Sequence, residues 1–485
     1  MVLEAQDTTR AIRRRTRRDP EPRFKADRRR QLDGVRGCPE LLLDGAHPAR
    51  DIERFVAGLD LSAIEEEYSS LGRRGHHPRS VLGVWLYASQ LGIHHATKVA
   101  RACATDAALL FLSGGHAIAA GTLKRFRQKR GDLLQSLLTE TVKLAHADGL
   151  ILVEELATDS MRLRAHASPH QTGTKKRSSG RLKELRAVDD SKLSKRQRAV
   201  HDEKRARHQA IVDKCKAEER TNVVLTNDMA SLMKFPNGAA HPGHRVTATA
   251  AGVSERIIVS VLVDASTNDD GKLESAVRDA RLVLQQAGVP HEGMQLAADA
   301  GYFCETDLEF ASKNREWVDV LIAEGSSASG PVEQGRKGYF DRSRFKILDD
   351  GSAICPADKA MSKPRVMSNG RTHWSGLGCP KCPLRPQCTP RARRSLTADM
   401  NLEDVRDKMR ARMSQPGARE RYGQRIATIE PAFSNIEENM AFRRSSSRHP
   451  PTILAEVLLK VVAHNLSRIA AARTLACVHV PLTLD

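Results

Sequence analysis

The sequence predicts an α/β protein in which a mixed sheet flanked by helices is preceded by an all-helical region and interrupted by a segment carrying a cysteine cluster. Three observations support this. Short β-branched or apolar runs bounded by Gly, Asp, Ser and Asn recur between residues 151 and 300, the pattern of strands. Before them, from Pro39 to about Arg130, apolar side chains recur at helical spacing. After them, Cys355, Cys379, Cys382 and Cys388 cluster. At 485 residues the chain exceeds what one core usually organises, so two to four structural units are expected.

The charge balance narrows the partners. Lys and Arg number 78 against 59 Asp and Glu, giving a net charge of +19. Such an excess favours a polyanion through counterion release, with nucleic acid as the leading candidate. No uninterrupted apolar run is long enough to span a bilayer, and the basic N-terminus lacks the apolar core of a secretory signal, so a cytoplasmic, nucleoid-associated protein is expected. Nine cysteines, an odd count, argue against a disulfide framework.

Residues 1–38 read as a basic flexible arm: the first 36 hold 12 Lys and Arg and few large apolar groups. A solvated tail and a DNA-contacting tail both fit. Residues 39–145 form the helical N-terminal region, where Ile52, Phe55, Val56 and Leu59 share one helix face and Val81, Val84, Trp85 and Ala88 share another. Gly92, Gly114 and Gly115 punctuate it. In TLKRFRQKR, Thr122 is expected to cap a helix whose surface carries Lys124, Arg125 and Arg127. A short positive helix after a turn is what a helix-turn-helix puts into a major groove, although a solvated face gives the same pattern.

The core is expected over 146–323, with strands at 151–157, 245–252, 256–264 and 294–300 and an amphipathic helix between the last two that ends at Gly288. A polar stretch, 174–220, interrupts it with 16 Lys and Arg against 8 Asp and Glu and reads as charged helix, either a solvated arm or a DNA-backbone contact. Residues 324–415 hold the cysteines. Cys379 and Cys382 make a C-x2-C pair that Cys355 and Cys388 could complete as a tetrahedral zinc site, with reduced thiols free of metal as the other reading. Residues 416–485 return to the core and end in a packing helix after Pro450-Pro451.

Asp159 and Asp299 each close an expected strand. Carboxylates at adjacent strand ends suit Mg2+ or Mn2+, whose hard oxygen chemistry can activate an attacking oxygen at a phosphodiester. A third acid would complete the cage, and composition alone does not choose it. Asp264, Asp269 and Asp270 in VDASTNDDG are read as turn chemistry and set aside.

TDSMRLRAHAS (158–168), ADAGYFCETDL (298–308) and RERYGQRIATIEPAF (419–433) resemble the three acidic blocks of insertion-sequence transposases of the acidic-triad (DDE) type. HPRSVLGVWLYASQLGIHHATKVARACATDAALLFLSGG (77–115), followed by TLKRFR, resembles the helical N-terminal domain of the group often called the eleven-eighty-two insertion sequences. The resemblance covers about residues 40 to 475. It implies a ribonuclease-H-like catalytic core behind an α-helical DNA-binding domain, with Asp159 on the first strand, Asp299 on the fourth and Glu430 on or beside a late helix as the Mg2+- or Mn2+-binding acids. The family signature carries over to Tyr422, Arg425 and Glu430, with Tyr422 and Arg425 positioning DNA phosphate. It further implies that the cysteine cluster is structural, that the partners are terminal inverted repeats and target DNA, and that two copies pair two ends. One position departs: seven residues after Glu430, where the family commonly has a lysine, stands Glu437, and Glu437 and Glu438 stay in the list of third acids. A transposase that retains only DNA binding, and a host nuclease of the same fold, are the alternative functions. Pro431 predicts that Glu430 sits at a helix start or kink.

Overall fold

A computed structural model describes residues 23–34, 37–69, 73–235, 238–324, 339–340, 342–368 and 370–478; most of the expected basic arm lies outside the described residues. The chain divides into two compact units, one comprising residues up to 88 with 95–126, the other 89–94 with 127–485.

The first unit is helical. It holds α1 (Pro48–Ala57), α2 (Ser62–Glu66), most of α3 (Pro78–Gln90), α4 (Ala96–Ala102), α5 (Ala107–Leu112) and most of α6 (Ala120–Lys129). The apolar positions named above form its centre: Ile52, Val56, Val81, Val84, Trp85 and Ala88 are buried with Leu109 to Leu112. Trp85 Nε1 donates to the Leu123 carbonyl at 3.3 Å, and Asp106 caps α5 by accepting from the Leu109 N–H at 2.8 Å. After α5 the chain turns at Gly115, φ +77°, where a Cβ would stand 3.1 Å from the Arg28 backbone; only glycine meets both demands.

Helix α6 begins at Ala120, ahead of the expected cap Thr122. Lys124 and Arg125 are exposed as expected. Arg127 is not. It is 5% exposed, pairs with Glu456 at 3.0 Å and donates to the His94 carbonyl at 3.0 Å. Four cations, Lys124, Arg125, Arg127 and Lys129, are spread around this helix, and the inward one, Arg127, is paired with a carboxylate that is itself buried.

The second unit opens with α7 (Gly131–Ala147), followed by β1 (Leu156–Arg164). Strand β1 is displaced from the expected 151–157: Val153 to Glu155 form a turn, and alternation resumes as buried Met161 and Leu163 against exposed Arg162 and Arg164. Asp159 therefore lies within the strand and does not close it. The charged stretch folds as α8 (Lys175–Arg186) and α9 (Lys195–Ala217), packed on each other, with a capping box of Ser194 and Gln197 starting α9. A two-strand pair, β2 (Thr172–Thr174) and β3 (Asn222–Val224), brackets them.

Strands β4 (Ser231–Lys234), β5 (Ala240–Ala251), β6 (Ile257–Asp264), β7 (Met294–Ala298) and β8 (Val318–Ile322) join β1 in a six-stranded mixed sheet. Across it run β6, β5, β1, β7 and β8, with β4 also on β5; β5 is antiparallel to β1, β4 and β6, while β7 is parallel to β1 and β8. Helix α10 (Leu273–Gln286) makes the crossover from β6 to β7, and α11 (Glu305–Lys313) leads to β8. Beyond β8, two short pairings, β9 (Lys346–Ile347) with β10 (Ala353–Ile354), and β11 (Arg365–Val366) with β12 (Thr372–Ser375) and β13 (Ser395–Ala398), enclose Phe340, Phe345, Trp374 and Leu396; α12 (Arg385–Cys388) lies between the last two strands.

The chain then returns through α13 (Met400–Met413), α14 (Ala418–Thr428), α15 (Glu430–Ser434), a π-helical turn Asn435–Asn439 and α16 (Pro450–Val478). Helix α16 is the packing helix expected at this end. Asn465 accepts from the Ile258 N–H and donates to the Ile258 carbonyl, 2.9 Å each, which fixes α16 to β6. No helix among the described residues is long and apolar enough to cross a membrane.

Removing one member of a buried pair costs about 3–5 kcal/mol. Arg127→Ala is therefore expected to lower unfolding stability by that order in denaturant titrations, whereas Lys124→Ala on the same helix changes it by less than about 0.5 kcal/mol. Equal effects of the two would contradict the burial of Arg127.

Candidate active site

The parallel register of β1 with β7 pairs Thr158 with Ala298, so the residues that follow, Asp159 and Asp299, are brought side by side. Asp299 caps the turn Ala300–Tyr302 by accepting from the Gly301 N–H at 3.4 Å. Small neighbours, Ala248 opposite Asp159 and Ala297 and Ala298 before Asp299, keep this end of the sheet low.

The third element is α14. Arg421 anchors it to the sheet by donating to Gln295 at 2.8 Å and pairing with Asp319 of β8, which Arg412 of α13 also holds. Arg256 donates to the Ala427 carbonyl at 2.9 Å at its far end. This fastening directs Arg425, whose side chain is 8% exposed, at the aspartates: its guanidinium stands 3.0 Å from Asp159 Oδ2 and 3.2 Å from Asp299 Oδ1. Glu430, the first residue of α15 and followed by Pro431 as the sequence predicts, reaches the same guanidinium at 3.8 Å. Burial opposes the charge on Arg425, but Asp159, Tyr422, Asp299 and Glu430 more than offset it, and its pKa rises. The Tyr422 ring lies 5.7 Å from the guanidinium.

An open cleft of about 390 Å³ exposes the two aspartates; Arg425, Tyr422 and Glu430 are not among its lining residues. Asp159, Asp299, Arg162, Arg164 and Arg443 line it, together with Asp269, which the sequence reading set aside, and Glu437, one of the three candidates for third acid. Asp269, set aside as a turn residue, is in the wall, bonded to Ser160 Oγ and paired with Arg245. The turn pattern was genuine for its neighbours: Asp264 accepts from the Ser266 N–H, and Asp270 accepts from the Asn268 side chain. Glu437 also faces the cleft, with its pKa raised by burial and by Glu438, while Glu438 is exposed and paired with Arg443. Of the three candidates for third acid, Glu430 alone shares Arg425 with the two aspartates among the described ion pairs.

The donor set is oxygen only, which suits a hard divalent cation. Like charges are crowded: the Asp159 carboxyl is pushed up to about 7, chiefly by burial, with Asp299 and Asp269 adding to the rise and the Ser160 N–H and Arg425 opposing it. Among the described residues no three His, Cys, Asp or Glu side chains stand in metal-ligand geometry, neither the acids around Arg425 nor Cys355, Cys379, Cys382 and Cys388. The residues fit a cation by charge and donor type, in an arrangement now balanced by Arg425.

The four cysteines converge elsewhere. Cys355, Cys379, Cys382 and Cys388 line one small cavity of about 20 Å³ with Phe340 and Leu384. Tight turns present two of them, closed by Asp358 N–H to the Cys355 carbonyl at 2.9 Å and Cys382 N–H to the Cys379 carbonyl at 3.1 Å. A Cβ on Gly376 would come within 2.5 Å of Cys379 Sγ. Burial raises the Cys388 thiol pKa, Arg394 opposes this, and the other three thiols add to it. Lys124 and Arg125 belong to the first unit.

Two family models match the chain. The first, described as Transposase DDE domain, covers residues 354–470, a span with Arg425 and Glu430 but without the two aspartates. The second, described as Transposase domain (DUF772), covers residues 39–129. Both are transposase families, which implies DNA as partner, and DDE domains generally use divalent metal ions. No curated protein matches the chain.

The raised pKa of Asp159 has a stability consequence. In the unfolded chain this carboxyl titrates near 4, so the folded, metal-free protein binds its proton more tightly. The group's contribution is most favourable below about 4 and is lost as pH rises to about 7. Asp159→Asn is expected to be more stable than the wild type in chelator at pH 8, by on the order of a few kcal/mol, with the gap closing toward pH 4 in urea titrations. A variant no more stable at pH 8 would contradict the crowding.

Proposed function

We propose that this chain, consistent by both family matches with a DDE transposase of an insertion sequence, cuts DNA at the element's ends and joins the freed 3′ hydroxyl to target DNA. In this reading Asp159, Asp299 and Glu430 hold Mg2+ or Mn2+. The observation that carries it is a single buried guanidinium, Arg425, contacting all three acids, which come from a strand, a post-strand turn and a helix start. A divalent cation held there would supply the acidity that activates an attacking oxygen and would neutralise charge on the phosphodiester. The chain's own groups bind and orient the DNA. Arg425 and Tyr422 border the reacting phosphate, a task suited to the planar guanidinium. Arg162, Arg164 and Arg443 line the cleft and hold the flanking backbone. Arg443 supplies a cation in the same wall as Glu437, where the resembled family has lysine.

The ribonuclease-H-like reading of the core is supported by the strand order β6, β5, β1, β7, β8 with only β5's pairings antiparallel. Exposed Lys124 and Arg125 on α6 are read as DNA contacts of the helical region, and Arg127 is withdrawn from that set. The four-cysteine cavity is read as a structural zinc site, supported by the convergence of four thiols. Metal analysis should find about one zinc per chain, lost in Cys382→Ser; a zinc-free, folded wild type would refute it. Two copies pairing two ends is the working assembly, which light scattering on the DNA complex tests by mass.

Strand cleavage of DNA carrying the element's ends, in Mg2+ or Mn2+, tests the assignment. Replacing residues behind a ligand costs about 10–100-fold, so loss of a ligand should cost more than about 100-fold. Asp159→Asn, Asp299→Asn and Glu430→Gln are expected to bind the ends and fail to cut, while Glu437→Gln cuts. A Glu430→Gln protein that still cuts, beside an inactive Glu437→Gln, moves the third acid to Glu437. A wild type that binds and never cuts overturns the catalytic reading.

A further inference from the structure

Arg245 on β5 is 2% exposed and spends its guanidinium on one short loop and one strand residue. Its Nε donates to the Ser266 carbonyl at 3.2 Å and Nη2 to the Thr267 carbonyl at 2.8 Å, while Nη1 meets both Asp269 Oδ1 and Ser160 Oγ. The Ser160 hydroxyl donates to the same Asp269 oxygen, and the Ser160 N–H donates to Asp159 Oδ1 at 2.7 Å. The other Asp269 oxygen, Oδ2, lies against the turn after Asp299, where a Cβ on Gly301 would come within 2.8 Å of it. Asp269 thus touches the residue after Asp159 and the second residue after Asp299.

We propose that Asp269 and Arg245 are a positioning pair which, through Ser160, sets the orientation of the Asp159 carboxylate. The inference rests on reading Asp159 as a metal-binding acid. A loop anchor alone would not need this chemistry. A buried ion pair is no better for stability than apolar packing of the same volume, and this one adds a carboxylate beside two others, making the metal-free centre less favourable. The arrangement is understandable when a cation is to be bound: groups hydrogen-bonded behind metal ligands fix their direction. Ser160 is the link, because its hydroxyl is held by the pair while its amide holds Asp159.

The test titrates Mn2+ alone into the full chain by calorimetry, for wild type, Asp269→Asn, Ser160→Ala and the double variant, with thermal unfolding run alongside. The expected result is a loss of about 10–100-fold in Mn2+ affinity for each single variant, and a double variant no weaker than the worse single one, because both remove the same link. Wild-type affinity in Asp269→Asn, or losses that simply add, would overturn the proposal. Should Asp269→Asn fail to fold, Ser160→Ala decides: it keeps the buried pair and removes only the link, so unchanged affinity overturns the proposal. A folded wild type that takes up no Mn2+ overturns the metal reading itself, whereas wild-type uptake that Asp159→Asn abolishes and Asp269→Asn leaves intact overturns the positioning pair alone.

Discussion

The structure around the cleft depends on one guanidinium. Arg425 is buried, and without it the buried Asp159 carboxylate would face Asp299 and the more exposed Glu430 with no counter-charge, which like-charge repulsion disfavours. With it, the sheet, the turn after β7 and the start of α15 are tied to α14 by charge. The rest of the second unit is arranged to deliver that side chain: Arg421 and Arg412 share Asp319, Gln295 receives Arg421, and Arg256 bonds the last turn of α14. The balance is provisional in chemical terms. In the proposed function, a divalent ion would enter this set of carboxylates as Arg425 turns to a phosphate.

Behind this cleft lies a second buried polar system that is structural. Glu456, Lys460 and His464 recur every fourth residue on α16, all nearly inaccessible. Glu456 meets Arg127, Lys460 Nζ donates to the Ser89 and Met440 carbonyls at 2.9 Å, and His464 bonds Asn435 and the Arg256 carbonyl. Burial lowers the Lys460 pKa to about 7, with Glu456 opposing the shift. These contacts hold the segment carrying Glu437 and Glu438 against the long helix, so the two polar systems share the stretch between α15 and α16.

The sequence carried local information well and long-range information poorly. Pro431 placed Glu430 at a helix start because proline constrains only its neighbours, whereas the cap expected at Thr122 fell inside a helix that begins at Ala120. The register that unites Asp159 and Asp299 was legible only as two acids after two apolar runs. Strand β1 was misplaced because its second half alternates Met and Leu with arginines, which conceal a strand from a reading that looks for apolar runs. Asp269 was passed over because NDDG is a turn pattern whatever else it does, and its partners Ser160 and Arg245 are distant in sequence. Arg127 could not be told from its cationic neighbours, since only Glu456, near the other end of the chain, marks it as buried. Two family matches bear out the resemblance at the third acidic block and in the helical region, while the first two acidic blocks lie outside the matched residues.

In the proposed function Arg425 occupies the place that a divalent cation would take. Anomalous diffraction from crystals grown with Mn2+ and a DNA end tests it directly. Manganese density shared by Asp159, Asp299 and Glu430 is expected, with Arg425 turned from the acids to the phosphate. Manganese bound through Glu437 in place of Glu430, or no manganese with Arg425 still seated among the three carboxylates, would contradict it.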